Sequence, residues 1–444
     1  MYKIIDKKYK QRIVDFGNAE LIFRDYQANA TPQIAYRLSR TIPEEFIIEN
    51  VEERVPFDIN SWSKEKRLIW TGNFSTANGF GMVAENTVRY LIESGVLVQT
   101  PGAISGNLIS GGEYVDDKVK TAFSNTIFPN CLEIQHCQPP SLRPGIVDRM
   151  WIYTMFETTH TPKRWINLMN TLDHVLVPTH WLVDSWKEQG LKVPIDVYGH
   201  GLNPDFLHYI ERPIREPYTF LHYCQLSGRK GTDLVVRAFQ EEFRGDNGAK
   251  LIIKNTYPFF PFPLGIKNIE YITATYSKAE LNKLLARSDC FVFPTRGEGF
   301  GLTPFEAMAT GLPTIVTGWS GPTDYINKED TLILDYTMRR AVEFDHIYRS
   351  NLEPGETTGE WAEPNFQQLK HYMRWCYDNR EKAKDMGKKA AERLAIEWTW
   401  KKKVEDLVSI IDHSILGTPK KTEKVKEKLF YPGVIDNNLV VEEI

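Results

Sequence analysis

The stretch DCFVFPTRGEGFGLTPFEAMATGLPTIVTG, residues 289–318, runs from one apolar, β-rich segment to another through a loop and a short helix. DCFVFPT (289–295) and PTIVTG (313–318) read as strands, RGEGFGLT as the connection, and PFEAMATG as the helix between them. Strand, crossover helix and strand make the unit of a parallel α/β sheet. Thr303 reads as the helix N-cap, Pro304 as its first residue and Gly311 as the position just past its end. The loop then lies at the carboxyl edge of the sheet, where open α/β folds bind ligands. The amino end of the helix offers unpaired N–H groups and partial positive charge, a seat for a phosphate. Gly299 and Gly301 let the backbone come close to whatever binds there.

Two acids bracket this turn, Glu298 and Glu306, with seven residues between them. A carboxylate beside an anion repels it. The pair makes sense if each acid accepts hydrogen bonds from hydroxyls on either side of the phosphates. A nucleotide-sugar has that layout: ribose hydroxyls, diphosphate, sugar hydroxyls. Plainer readings stand beside this one. Thr303-x-x-Glu306 matches a capping box, so Glu306 can serve its own helix end, and Glu298 can be a solvated loop acid.

Outward from the turn the alternation continues. FLHYCQL (220–226) and AKLIIKN (249–255) are strands, with GTDLVVRAFQEEF (231–243) a helix between them. Arg229 and Lys230 sit in LSGRKGTD, again between strand and helix. They supply charge for a departing diphosphate, or else form an exposed basic turn. A similar series precedes it: RLIWTG (67–72), a glycine loop, the helical MVAENTVRYLIESG (82–95), then VLVQT (96–100), DRMWIYTMF (148–156) and DHVLVPT (173–179). The segment 198–219, rich in Pro, Gly and charge, marks the boundary between the two series.

The expected organisation is an extension over 1–65, a Rossmann-like domain over 66–200 and a linker over 201–216. A second Rossmann-like domain covers 217–396, a C-terminal helix 397–414 and a tail 415–444. The lysine-rich run 418–428 reads as a solvated linker.

The glycine loop of the first series, within TGNFSTANGFGMVAEN (71–86), contains Gly79-x-Gly81-x-x-Ala84. It resembles a dinucleotide fingerprint, which raises an NAD-dependent oxidoreductase as a rival. That fingerprint wants an acid at the end of the next strand, which here ends Gln99-Thr100-Pro101. Gly79 and Gly81 otherwise form a backbone surface facing a ligand, or a tight turn alone.

Net charge is -4 and the pI about 6.3, so nothing points to nucleic acid. Five dispersed cysteines argue against a disulfide framework and fit a reducing compartment. Cys131 and Cys137 flank His136, but without a second Cys or His pair they read as ordinary buried thiols. No Asp-x-Asp occurs, and no dedicated metal site is expected. The N-terminus MYKIIDKKYKQR lacks an apolar signal core and no run approaches the ~18 apolar residues of a membrane span, so a cytoplasmic protein is expected.

RKGTDLVVRAF, YSKAELNKLLARSDCFVFPTRGEGFGLTPFEAMATGLPTIVT and the segment 151–186 resemble retaining glycosyltransferases of family 4. The resemblance covers roughly residues 67 to 412. It implies the GT-B fold, two Rossmann-like parallel-sheet domains facing a central cleft. It implies a donor, UDP- or GDP-linked, as co-substrate, with no permanently bound cofactor. It places the donor sugar on Glu298 and the ribose on Glu306. Lys230 falls on the phosphate-binding lysine. Gly299, Phe300, Gly301, Leu302 and Thr303 line sugar and diphosphate, and Gly79 and Gly81 close over the phosphates. Thr273 lies near the base. The family's arginine commonly sits several residues before the lysine, where Gln225 stands here, so Arg229 is its substitute. Many members carry a His-Asp pair where this chain has Phe156-Glu157, leaving Glu157 as the polar cleft residue with His160 on the acceptor side.

The acceptor is a glycan, a lipid-linked sugar or a protein. The aromatics near Trp151, Tyr153 and Trp165 either stack on it or form core, and the apolar run 257–265 is a further contact candidate. A non-catalytic nucleotide-sugar binding protein on the same fold is the remaining alternative.

Overall fold

The computed structural model describes residues 59–74, 79–100, 116–123, 131–142, 149–204, 207–225, 227–255 and 267–417, with the backbone of five earlier strands. The lysine-rich run and the rest of the tail beyond 417, the apolar run 257–265 and positions 75–78 of the glycine loop lie outside the described residues. The earlier strands are β1 (Tyr2–Asp6), β2 (Arg12–Asp15), β3 (Glu20–Phe23), β4 (Gln27–Ala30) and β5 (Phe46–Asn50). β4-β1-β5 form an antiparallel sheet and β2-β3 a hairpin, so residues expected only as an extension carry regular structure.

Among the described residues, two six-stranded parallel sheets dominate. The first holds β6 (Arg67–Gly72), β7 (Leu97–Gln99), β8 (Leu132–His136), β9 (Arg149–Tyr153), β10 (His174–Val177) and β11 (Ile195–Val197). Its helices are α1 (Ile59–Lys64), α2 (Gly79–Glu93), α3 (Asp117–Lys120), α4 (Lys163–Met169) and α5 (His180–Glu188). The second holds β12 (Tyr218–Tyr223), β13 (Ala249–Lys254), β14 (Ile269–Ile272), β15 (Cys290–Phe293), β16 (Thr314–Thr317) and β17 (Leu332–Leu334). Between these strands run α6 (Thr232–Glu242), α7 (Lys278–Ala286) and α8 (Leu302–Ala309). A hairpin of β18 (Tyr336–Arg340) and β19 (Glu360–Pro364) encloses α9 (Val342–Ile347), and α10 (Phe366–Asp378), α11 (Arg380–Glu397) and α12 (Trp400–Leu416) end the described chain.

Central strands such as CFVF and HVLV are buried along their whole length, as parallel sheets covered by helices on both faces require. The strand orders decide where a ligand fits. The second sheet runs β14-β13-β12-β15-β16-β17, the order of doubly wound nucleotide-binding sheets. Its connections diverge between β12 and β15, and a crevice opens there at the carboxyl ends. The first sheet runs β11-β10-β9-β8-β6-β7 and reverses between β6 and β8.

The two halves meet along these edges. Thr179 Oγ1 donates to the Gly299 carbonyl at 3.2 Å, His180 Nδ1 lies 2.9 Å from Asp324, and Lys278 pairs with Glu85 of α2 at 3.4 Å. After α11 the chain returns to the first half. Trp400, Val404, Leu407 and Ile411 of α12 join Trp62, Leu68, Trp70 and Val83 in one core.

Candidate active site

The two-acid turn leaves β15 and enters α8. Its N-cap is Gly301, with φ 91°, and no side chain caps the helix. This corrects the expectation for Thr303, which lies inside the first turn, with Pro304 third rather than first. A positive φ is open to glycine and strained for threonine. Gly311 does follow the helix end, with φ 83°. The Tyr325 hydroxyl donates to the Gly301 carbonyl at 2.8 Å and holds the turn. The capping-box duty is likewise unfilled: among the described residues nothing hydrogen-bonds the Glu306 carboxylate. The first-turn N–H groups of α8 have no intrahelical acceptor.

Glu298 is 6% exposed. Its backbone N–H donates to Ser320 Oγ at 3.0 Å, which fixes the turn on the next strand's loop. Its side chain takes three hydrogen bonds through one oxygen, Oε1: from Lys230 Nζ at 2.6 Å, Arg229 Nη1 at 3.0 Å and Thr295 Oγ1 at 3.0 Å. Oε2 takes none among the described residues. Arg229 also donates to the Gly297 carbonyl and faces Glu157 across the interface at 3.6 Å. Residues 68 and 69 positions apart in sequence thus converge at the β12/β15 divergence, and Glu157 reaches them from the other half. The approach is close. A side chain at Gly299 would meet Met155, and one at Gly297 would meet the Glu157 carbonyl.

The electrostatics are those of a compact, shared cluster. Burial alone would raise the Glu298 carboxyl, but Lys230 and Arg229 outweigh it and hold it below the usual carboxylate range. Burial, then Arg229, lower Lys230 against the pull of Glu298. For Arg229, burial is outweighed by Glu298 and Glu157, and its net shift is upward. Glu306 behaves in the opposite way to Glu298. It is 6% exposed, and burial pushes it up to about 8.

The other expected positions divide. Gly79 opens α2 and faces Leu302, whose Cδ1 lies 3.0 Å from where a side chain would begin; Gly81 is buried two residues on. Phe300 is buried between Phe305, Tyr325 and Trp398, while Thr273 is exposed after β14. His160 stands apart, its Nε2 3.1 Å from Glu356. Trp151, Tyr153 and Trp165 are core residues.

Two residues escaped the sequence reading. His136 ends β8 at the first sheet's reversal and stacks under Phe80 at 4.8 Å; His200 packs against Phe300 at 4.3 Å. Both are buried, and among the described residues none of their four ring nitrogens has a hydrogen-bond partner. Burial holds both below the usual histidine range, His136 at about 3, so both rings are neutral. In the sequence, His136 reads only against a zinc site and His200 only as part of the boundary segment 198–219. Among the described residues no group of three His, Cys, Asp or Glu side chains is placed to hold a metal ion.

This architecture is the GT-B fold of glycosyltransferases. Residues 265–407 match the family described as GT4-conflict, Family 4 Glycosyltransferase in conflict systems. The chain is 24% identical over 195 residues to a protein of the Sulfolobus islandicus filamentous virus (isolate Iceland/Hveragerdi) provisionally named glycosyltransferase 45, a match over 41% of this chain and 53% of that one. The chain thus spans about half the length of that curated relative. Sucrose-phosphate synthase from Thermosynechococcus elongatus superposes with a TM-score of 0.57 at 12% identity, covering 80% of this chain and all of that one. HepE from Anabaena, solved with UDP and glucose, gives 0.53 at 10% identity over 78% of this chain and 100% of that one. The chain is thus similar to family 4 glycosyltransferases.

Proposed function

We propose that the chain transfers a sugar from a UDP- or GDP-linked donor to an acceptor hydroxyl, with retention of configuration. One observation carries this reading. Arg229, Lys230 and Glu298 converge at the switch point of a nucleotide-type sheet, beside an uncapped helix end. The HepE structure, solved with UDP and glucose, supports the nucleotide-sugar part of the proposal.

In this reading the diphosphate rests on the amino end of α8. Arg229 and Lys230 turn from Glu298 to the phosphate oxygens, and Glu298, relieved of them, offers its carboxylate to a hydroxyl of the donor sugar. Among the described residues Oε2 takes no hydrogen bond and is open to that one. Glu306 takes the ribose hydroxyls. The bond between sugar and diphosphate ionises toward an oxocarbenium-like state. The two cations and the helix end stabilise the charge that develops on the leaving oxygen. That oxygen takes the proton of the acceptor hydroxyl on the same face, and the new glycosidic bond forms there. Glu157 holds Arg229 in place from the acceptor side. The neutral imidazoles of His136 and His200 each carry one donor and one acceptor, which matches sugar hydroxyls.

The dehydrogenase alternative gains nothing from the structure: Gly79 and Gly81 lie in the first turn of α2, and β7 ends on Gln99. A thermal-shift panel of nucleotides and nucleotide-sugars tests the proposal. A donor at 100 times its dissociation constant adds about 2.7 kcal/mol of stability. Stabilisation by NAD and by no nucleoside diphosphate would contradict it. Stabilisation by a nucleotide-sugar with neither transfer nor hydrolysis would favour the non-catalytic alternative.

A further inference from the structure

Lys254 ends β13, one strand out from β12 on the side away from β15. It is 2% exposed. Among the described residues its ammonium has no hydrogen-bond or ion-pair partner; it lies over the rings of Tyr223 at 5.0 Å and Tyr276 at 5.1 Å. Cys224, whose backbone N–H donates to the Lys254 carbonyl at 3.1 Å, has its thiol 3.2 Å from His222 Nε2. Burial holds the Lys254 amine below its ordinary range. A buried cation without an acceptor is expensive, and the missing acceptor is the mark of a ligand.

The sheet order indicates which part of the ligand meets it. The cations and helix end for a diphosphate stand at β12 and β15. The rest of a nucleotide then runs outward over β13 and β14, on the side of β12 away from β15. Lys254 pairs in register with Tyr223 on one side and Ile272 of β14 on the other. Beyond the ribose, the next unit of a nucleotide is its base. Tyr276 also sits two residues before Lys278, which reaches Glu85 of α2, so this wall faces the opposite half.

We infer that Lys254 reads the base of the donor, donating to a keto oxygen and excluding an amino group. This rests on the nucleotide-sugar reading above. An ammonium has three donors and no acceptor. It complements O4 of uracil or O6 of guanine. Against N4 of cytosine or N6 of adenine it sets donors against donors.

The test is calorimetric titration of the full chain with UDP, CDP, GDP, ADP and inorganic pyrophosphate, for wild type, Lys254→Met and Lys254→Gln. Wild type should bind UDP or GDP about tenfold or more tighter than the matching amino-base nucleotide. In Lys254→Met that ratio should fall to within about twofold, with pyrophosphate binding unchanged. Lys254→Gln, whose amide offers either a donor or an acceptor, should lose the ratio while keeping affinity. An unchanged ratio in both variants, or a wild-type preference for CDP or ADP, overturns the inference alone. Equal weakening of every nucleotide and of pyrophosphate in Lys254→Met reassigns the residue to the phosphates and also overturns it. Wild type that binds none of the nucleotides overturns the nucleotide-sugar reading with it.

Discussion

At the scale of single residues, Glu298 gathers Lys230, Arg229 and Thr295 on one oxygen, while buried Glu306 has no hydrogen-bond partner among the described residues. The two acids are alike in sequence and opposite in electrostatics, and each leads to its own test. Removing a cation that stabilises developing charge costs about 3 kcal/mol of barrier, roughly a hundredfold in rate. Lys230→Ala and Glu298→Ala are each expected to lower turnover by at least that factor in a steady-state transfer or hydrolysis assay. Near-wild-type rates in both would remove the mechanism.

Glu306 concerns stability. Its carboxyl, pushed by burial up to about 8, keeps a proton in the folded chain that the unfolded chain has already released. Its contribution is therefore fully present below the ordinary value of 4.5 and is lost as pH rises towards about 8. Glu306→Gln should match wild type in melting temperature near pH 4.5 and gain on it progressively up to pH 8. A difference independent of pH would contradict this. The opposite electrostatics of the two acids were not legible in GEGFGLTPFEAMATG, because they depend on cations 68 and 69 residues away.

Among the elements, the turn into α8 was readable as strand, loop and helix, but its cap was misassigned by two residues. Thr303-Pro304 carries the stronger local signal for a helix start, and Gly301 prevails because the loop must turn back beneath Ser320 and Tyr325. A side chain added at Gly301 would carry φ 91° and stand 2.8 Å from the Tyr325 hydroxyl. Gly301→Ala is expected to destabilise the chain by about 1–3 kcal/mol in chemical denaturation. It should also weaken nucleotide binding, since the helix end moves with the turn; unchanged stability would show that the turn is not held as described. Strands were legible where they are mainly apolar. β8 was missed because LEIQH is half polar. Its Glu133 is nevertheless satisfied in place, accepting from Thr71 Oγ1 at 3.2 Å and Gln135 Nε2 at 2.9 Å. β11 and β14 carry an acid within the strand, Asp196 and Glu270, which breaks the apolar run that marks the others.

For the whole molecule, the two α/β halves followed from the alternation of strands and helices, and the cleft between them from the resemblance to family 4 glycosyltransferases. The strand orders did not, and these set the divergences between β12 and β15 and between β6 and β8. His136, His200 and Lys254 were hidden for the same reason. A buried polar group without a partner is recognisable only when its surroundings are known. No helix among the described residues is long and apolar enough to cross a membrane. The central claim is that a nucleotide-sugar lies in the crevice with its diphosphate on α8. A crystal structure grown with UDP or GDP at saturation tests it most directly. The expected result is a phosphate oxygen at about 3 Å from Lys230 Nζ and from the first-turn N–H groups of α8, with a ribose hydroxyl on Glu306. Nucleotide bound elsewhere, with Lys230 still on Glu298, would contradict it.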